Sequence, residues 1–412
     1  MDQIRRQKYA LMLIKVGVNL QPGQYLIIQT IPEALELAQE VTKEAFKAKA
    51  KDVIVFIEDP KINHIRGLNA DEDVLRAVPE WKKQQLEYYL SQGACQIGLM
   101  GSYPTLNQDV ETAKLLAINA ASNDVRNVIR KYIHQGTLQW TGTAVATKDW
   151  AKVVYPELPE EKAYEALEDA LCQMVRVDDK TDVIENWKKH CTALSKRSDI
   201  LNKYNFRSLH LTSELGTDIT MDLVKDHIWN SAGELNQGKH QVRYVANMPT
   251  EEVFTDPDCF SVNGIAYASR PLMMSGKLVT DFSITFKDGY AMDCKASQNV
   301  EFLKDALFKD DGTRRLGEVA LVSKQSPINQ MNKIFFNGLI DENAASHLAF
   351  GSSFPSCIKG GTALTKEELL QKGVNSAISH NDFMIGTDDF KVVGITYDNQ
   401  SVVIMEHGDF II

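Results

Sequence analysis

Histidines and carboxylates come together in four short stretches of the chain's second half. In "ISHNDFMIG", residues 378–386, His380 and Asp382 stand two apart. Alternate side chains of an extended strand share a face, so an imidazole would project beside a carboxylate. Buried polar groups need partners, and this pair is either a structural hydrogen bond or two ligands of one metal. "NMPTEEVFTDP" carries Glu251 and Glu252, which point to opposite faces if extended. One could bind an ion while the other acts on water, or one is simply solvated. "RRLGEVALV" sends Glu318 into an apolar run, which is costly unless the carboxylate is paired or metal-bound; Arg314 or Arg315 could pair with it. "DENAASHLAFG" holds Asp341, Glu342 and His347. On a helix, Glu342 and His347 would lie about 140° apart, so they could converge only across a loop. A lone histidine among small residues is also an ordinary satisfied core group.

Histidine with carboxylates from several segments is the ligand set expected for zinc, cobalt or manganese. Two such ions about 3.5–4 Å apart suit peptide hydrolysis, one acidifying a water and the other holding a free amine. Other chemistries lack their motifs. The chain has no H-E-x-x-H, no G-x-S-x-G, no Walker-A sequence and no G-x-G-x-x-G after a strand. Its six cysteines are scattered without a C-x-x-C pair, which argues against a thiolate zinc site and reads as reduced thiols.

The elements that must position these residues divide the chain. "YLIIQT", "DVIVFIED" and "CQIGLMG" read as short apolar strands. They alternate with helical stretches, "PEALELAQEVTKEAFKAKA" and "DVLRAVPEWKKQQLEYYLSQG". That alternation predicts an α/β domain with a mainly parallel sheet. "PELPEEKAYEALEDALCQMVRV" and "VIENWKKHCTALSKRSDILNKYN" predict two more helices. From about residue 207 strands dominate. "LHLTSELGTDITMDL" breaks at Gly216, Asp288-Gly289 separates two alternating runs, and "FKVVGITYDNQSVVIMEHGDFII" closes the chain; all three read as hairpins. The expectation is an N-terminal α/β domain, 1–185, and a C-terminal mixed α+β domain rich in antiparallel strands, 186–412, carrying the site.

Bulk composition agrees with a soluble protein of two domains: 412 residues, 44% hydrophobic and 24% charged. The formal net charge of −10 argues against nucleic acid or an anionic membrane as partner. No apolar run is long enough to span a bilayer, and the N-terminus lacks the pattern of a signal peptide. A cytoplasmic location is therefore expected.

Taken together and in order, "NMPTEEVFT", "RRLGEVALV", "DENAASH" and "HNDFMIG" resemble the metallo-aminopeptidases of the aminopeptidase T / aminopeptidase S type. "WTGTAVATKDWAKVVYPELPEEKA" extends the resemblance into the first half. The resemblance implies two divalent ions per chain, zinc, cobalt or manganese, with magnesium also tolerated. It implies Glu252, Glu318, His347, His380 and Asp382 as ligands, with Glu342 beside them and Glu318 bridging. It implies attack by a metal-bridged hydroxide on the first peptide bond of short peptides with a free N-terminus, in a homodimer. Glu251, adjoining a ligand, is the candidate general base. The same metal chemistry would also serve an amidase on a non-peptide substrate, and a metal-stabilised binding protein without turnover is the rival of another class. Where this family carries G-x-x-Y-P, the chain has "GSSFP"; Phe354 cannot donate the hydrogen bond a phenol would.

Overall fold

The computed structural model describes residues 1–274 and 277–412. They form two compact units, one of residues 1–188 with 233–248, the other of 189–232 with 249–412. The change of unit falls inside the helix Val183–Tyr204.

The first unit is built on a parallel sheet. Its strands are β1 (Tyr25–Thr30), β2 (Asp52–Ile57), β3 (Cys95–Gly101) and β4 (Trp140–Val145). The pair Asn247–Met248 adds to β4, giving the order 247–248, β4, β3, β1, β2. Leu26, Ile27 and Ile28 of β1 are fully buried, as expected of a strand covered on both faces. Ile27 packs on Leu86, Leu90 and Ile129 from the helices Glu80–Ser91 and Thr112–His134. The stretch read as one helix from Asp73 is two, Glu72–Arg76 and Glu80–Ser91. Pro79 lies between them, and a proline disfavours helix in the residue before it.

The second unit is a sandwich of two antiparallel sheets. One has eight strands and contains the three predicted hairpins: Ser208–Thr212 with Asp218–Asp222, Ser283–Lys287 with Tyr290–Lys295, and Lys391–Ile395 with Ser401–Glu406. Asp288 and Gly289 both have positive φ, 51° and 82°, the backbone a two-residue turn of this hand requires. The second sheet holds β5 (Glu252–Thr255), β6 (Leu316–Val322), β7 (His347–Gly351) and β8 (His380–Met384). Its order is β8, β7, β6, β5, then Asn230–Ser231. Val253, Val319, Leu321, Leu348, Phe350 and Phe383 of this sheet share one core with Leu209, Ile219, Ile284 and Val392 of the other. One face of β5–β8 is thereby committed to apolar packing. The alternate residues are left for chemistry.

Among the described residues no helix is long and apolar enough to cross a membrane.

Candidate metal centre

The register of β5–β8 assembles the acids and histidines. Glu252 pairs with Val322, Ala320 with His347, Glu318 with Ala349, Ala349 with Asp382, and Gly351 with His380. Glu318 and Asp382 thus flank Ala349 in one row across the sheet. A methyl between them leaves the two carboxylates unobstructed. The face is set by a bulge at Gly317, where the register shifts between Leu316 and Glu318. The extra residue changes which side chains point inward. Leu316 joins the core with Val319 and Leu321, and Glu318 turns to the opposite face. A Cβ at Gly317 would lie 2.4 Å from the Gly351 carbonyl and 2.5 Å from that of Ser352, so the bulge needs glycine.

Two groups of donor atoms result. Glu252, Glu318 and His347 form one, and Glu318, His380 and Asp382 the other, with the atoms of each group within 4.8 Å of one another. Glu318 belongs to both. His347 Nε2 is 3.2 Å from Glu252 Oε2. His380 Nε2 is 3.1 Å from Glu318 Oε2 and 3.1 Å from Asp382 Oδ1. Each imidazole turns its other nitrogen to a backbone carbonyl: His347 Nδ1 to Ala345 (3.1 Å) and His380 Nδ1 to Ser352 (2.6 Å). These bonds fix the tautomer and aim Nε2 at the carboxylates, the arrangement usual for metal-ligating histidines. Glu318 and His347 are 4% and 1% exposed, while His380 and Asp382 keep some solvent contact.

The electrostatics are those of a site built around positive charge. Burial pushes Glu318 up to about 7, against the opposing pull of His380. Burial disfavours the charged form of His347, but Glu252, Glu318 and Asp382 outweigh it and hold the imidazole at about 10. For Asp382 burial works upward, and His380 overcomes it to bring the group to about 2. Glu342 is held well above the usual carboxylate range by burial and then by Asp382 and Glu252. Four mostly buried carboxylates around two imidazoles cannot all ionise without added positive charge, which divalent cations would supply in place of the protons. The donor set, oxygen and imidazole nitrogen without sulfur, fits such ions.

The four stretches meet as follows. Glu342 opens a 3₁₀ turn, Glu342–Ala344, and His347 begins β7; the two converge across the intervening loop, and Glu342 senses His347, Asp382 and Glu318 electrostatically. Arg314 and Arg315 do not pair with Glu318. Arg315 stacks on Tyr290 at 3.7 Å and donates to the Cys259 carbonyl, and Arg314 lies over Tyr290 and Phe308. Glu251 joins neither donor group. It is buried, its amide donates to Asn343 Oδ1 (2.7 Å), and its carboxylate is 3.9 Å from His190 Nε2. Phe354 sets its ring edge on His380, centroids 4.9 Å apart, and on Phe254 at 5.5 Å.

Three supporting residues escaped the reading of the sequence. Asp256 is completely buried and accepts a hydrogen bond from the Phe354 amide (3.1 Å). Burial, before any neighbouring charge, pushes its carboxyl well above the usual range. Asn343 bridges the Glu251 amide and the Leu339 carbonyl. His190 donates to the Thr250 carbonyl (2.7 Å). An aspartate followed by proline reads as a turn, and a single asparagine or helical histidine carries no spacing signal.

The comparisons with known proteins cover the same ground. A family profile described as thermophilic metalloprotease (M29) matches residues 2–410. Aminopeptidase PepS of Streptococcus thermophilus is 38% identical over 408 residues, 98% of each chain. Aminopeptidase AmpS of Bacillus subtilis (strain 168) is 35% identical over 402 residues, 98% of this chain and 97% of that one. Among solved structures, wild-type AmpT from Thermus thermophilus superposes with a TM-score of 0.92 at 32% identity, covering 99% of each chain.

Proposed function

From the premise that the chain belongs to the thermophilic metalloprotease (M29) family, we propose that this metallo-aminopeptidase is a two-metal enzyme removing N-terminal residues from short peptides. Glu252, Glu318 and His347 would hold one ion, and Glu318, His380 and Asp382 the other, with Glu342 available to either. The observation that carries this is the sharing of the buried Glu318 between two donor groups, the role of a bridging carboxylate. When bound, such ions polarise the scissile carbonyl and lower the pKa of an attacking water.

The chain's own residues do the rest. Ala345 and Ser352 hold the two Nδ1 protons, so each imidazole offers a lone pair at Nε2. Phe354 supplies packing to His380 and no proton. Glu251, buried beside a ligand and facing His190, is assigned the removal of the water's proton. Zinc, cobalt or manganese suits the donors, and magnesium less well for its preference for oxygen and water. A homodimer is supported by exposed apolar side chains in the first unit, Val55 and Ile57 on β2 and Ile62 and Ile65 on the next helix. None of the six cysteines, all among the described residues, is joined in a disulfide, which supports a reducing compartment such as the cytoplasm.

Metal analysis of the dialysed protein tests the assignment. It should find about two ions per chain, with Glu318→Gln losing both. One retained ion at full occupancy in that variant would refute a shared ligand.

A further inference from the structure

Ala344–Ser346, the segment between Glu342 and His347, has a second role: it lines a cavity of about 770 Å³. Val322, paired in register with the ligand Glu252, lines it as well. The cavity therefore shares a wall with the metal centre. Ala345, whose carbonyl orients His347, belongs to both.

The charge of this cavity runs against that of the chain. In a protein of formal net charge −10, its walls carry Arg270, Lys324 and Lys333 against one acid, the exposed Asp388. Arg270 is half-buried and donates to neutral acceptors, Asn329 Oδ1 at 2.6 Å and the Lys333 carbonyl at 3.3 Å, while the carboxylate of Asp341 acts on it electrostatically without a direct ion pair. Among the described residues no carboxylate lies within 4.0 Å of the guanidinium of Arg270 or the ammonium of Lys324. A desolvated cation with no acid in direct ion-pair contact is costly. A guanidinium with free N–H groups matches the two oxygens of a carboxylate. The volume exceeds what a small inorganic anion needs and is within the range of pockets that enclose organic ligands.

We infer that this cavity receives the C-terminal carboxylate of short peptide substrates, with Arg270 and Lys324 as its binding groups. The inference rests on the aminopeptidase reading above. A peptide whose amine is held at the metal centre carries its opposite charge only a few residues away, at about 3.4 Å per extended residue. A cationic cavity that shares a wall with that centre would select short free-acid peptides over longer or capped ones.

The test compares tripeptides that differ only in ending as free acid or amide, with the metal-loaded wild type, Arg270→Gln and Lys324→Gln. The wild type should show a KM for the free acid about tenfold or more below that for the amide. Each substitution should raise the free-acid KM toward the amide value with little change in kcat. Lys324→Gln removes no hydrogen bond seen here and guards against a folding defect in Arg270→Gln. Equal kcat/KM for acid and amide in the wild type would overturn the inference and leave the aminopeptidase reading standing. Inhibition of amide cleavage by a free amino acid, without preference for the acid peptide, would mark a separate effector site and equally overturn it. Cleavage of neither peptide would contradict the aminopeptidase reading instead. Titration of N-acetylated acid and amide tripeptides would then decide the cavity's role: tighter acid binding, lost in Lys324→Gln, supports it, and equal binding overturns it.

Discussion

Glu318 is the residue on which both donor groups depend. Glu318→Gln should weaken metal binding by more than about a hundredfold, beyond the effect typical of residues that only support a ligand, while melting temperature in the absence of metal stays level or rises. The rise is expected because a buried carboxylate is replaced by a neutral amide. Metal loading should also depend on pH. Without a cation Glu318 titrates near 7 and His347 near 10, so protons compete with the ion at both. Apparent affinity should climb between pH 6 and pH 8, about tenfold per unit for each proton displaced. Calorimetric titration with zinc in buffers of different ionisation enthalpy measures affinity and proton release together; a flat profile without release would contradict the assignment. Glu251→Gln should cut turnover by about a hundredfold or more with metal content intact, and retained turnover would remove Glu251 from the chemistry. The four stretches that meet at the candidate site stood out in the sequence because acids and histidines in otherwise apolar strands are anomalous and four such anomalies occur in order; the ligand set proposed within them came from the family resemblance. Asp256 and Asn343 were not, because their importance arises from what packs against them, Phe354 in one case and Glu251 in the other.

At the scale of elements, the site is a register phenomenon. The bulge at Gly317 turns Glu318 outward, and the Ser352 carbonyl that holds His380 lies against the same glycine. Gly317→Ala should therefore cost about 1–3 kcal/mol in stability, as overpacking does. It should also weaken metal binding, because the displaced carbonyl no longer fixes His380. Denaturant unfolding and metal titration of the variant check the two effects; an unchanged affinity would mean that the bulge only shapes the core. The hairpins could be read in advance because turn chemistry is local: Asp288-Gly289 demands its backbone whatever surrounds it. β4 could not. "WTGTAV" contains small residues and threonines instead of an aliphatic run, and it becomes a strand by pairing with β3. Nor could the bulge be foreseen, since a glycine before an acid in a strand is compatible with several registers. The same limit applies to Glu342 and His347, whose convergence is created by a loop.

For the whole molecule, fold class was legible from the change between alternating helices and strands and a run of strands. The return of residues 233–248 to the first unit was not, because two residues pairing beside β4 leave no periodic trace. Acid sensitivity belongs to this scale. His227 is buried, its Nδ1 bonded to the Val224 carbonyl and its Nε2 without a partner. Burial, chiefly, lowers its pKa below 6.5. The unfolded chain thus takes up this proton first as pH falls, so stability present above pH 6.5 is lost below it, at up to about 1.4 kcal/mol per pH unit. His227→Gln should flatten the fall in unfolding free energy between pH 6.5 and 5; an unchanged slope would assign the loss to other groups. The central claim, a metal-dependent enzyme that reads a free amine, has a more direct test. It is the release of the first residue from short peptides with a free or an acetylated N-terminus, by protein before chelation, after it, and with zinc, cobalt or manganese restored. Cleavage of the free-amine peptides alone, abolished by chelation and recovered with metal, is the predicted result. Cleavage that ignores the acetyl group or survives complete metal removal would contradict it.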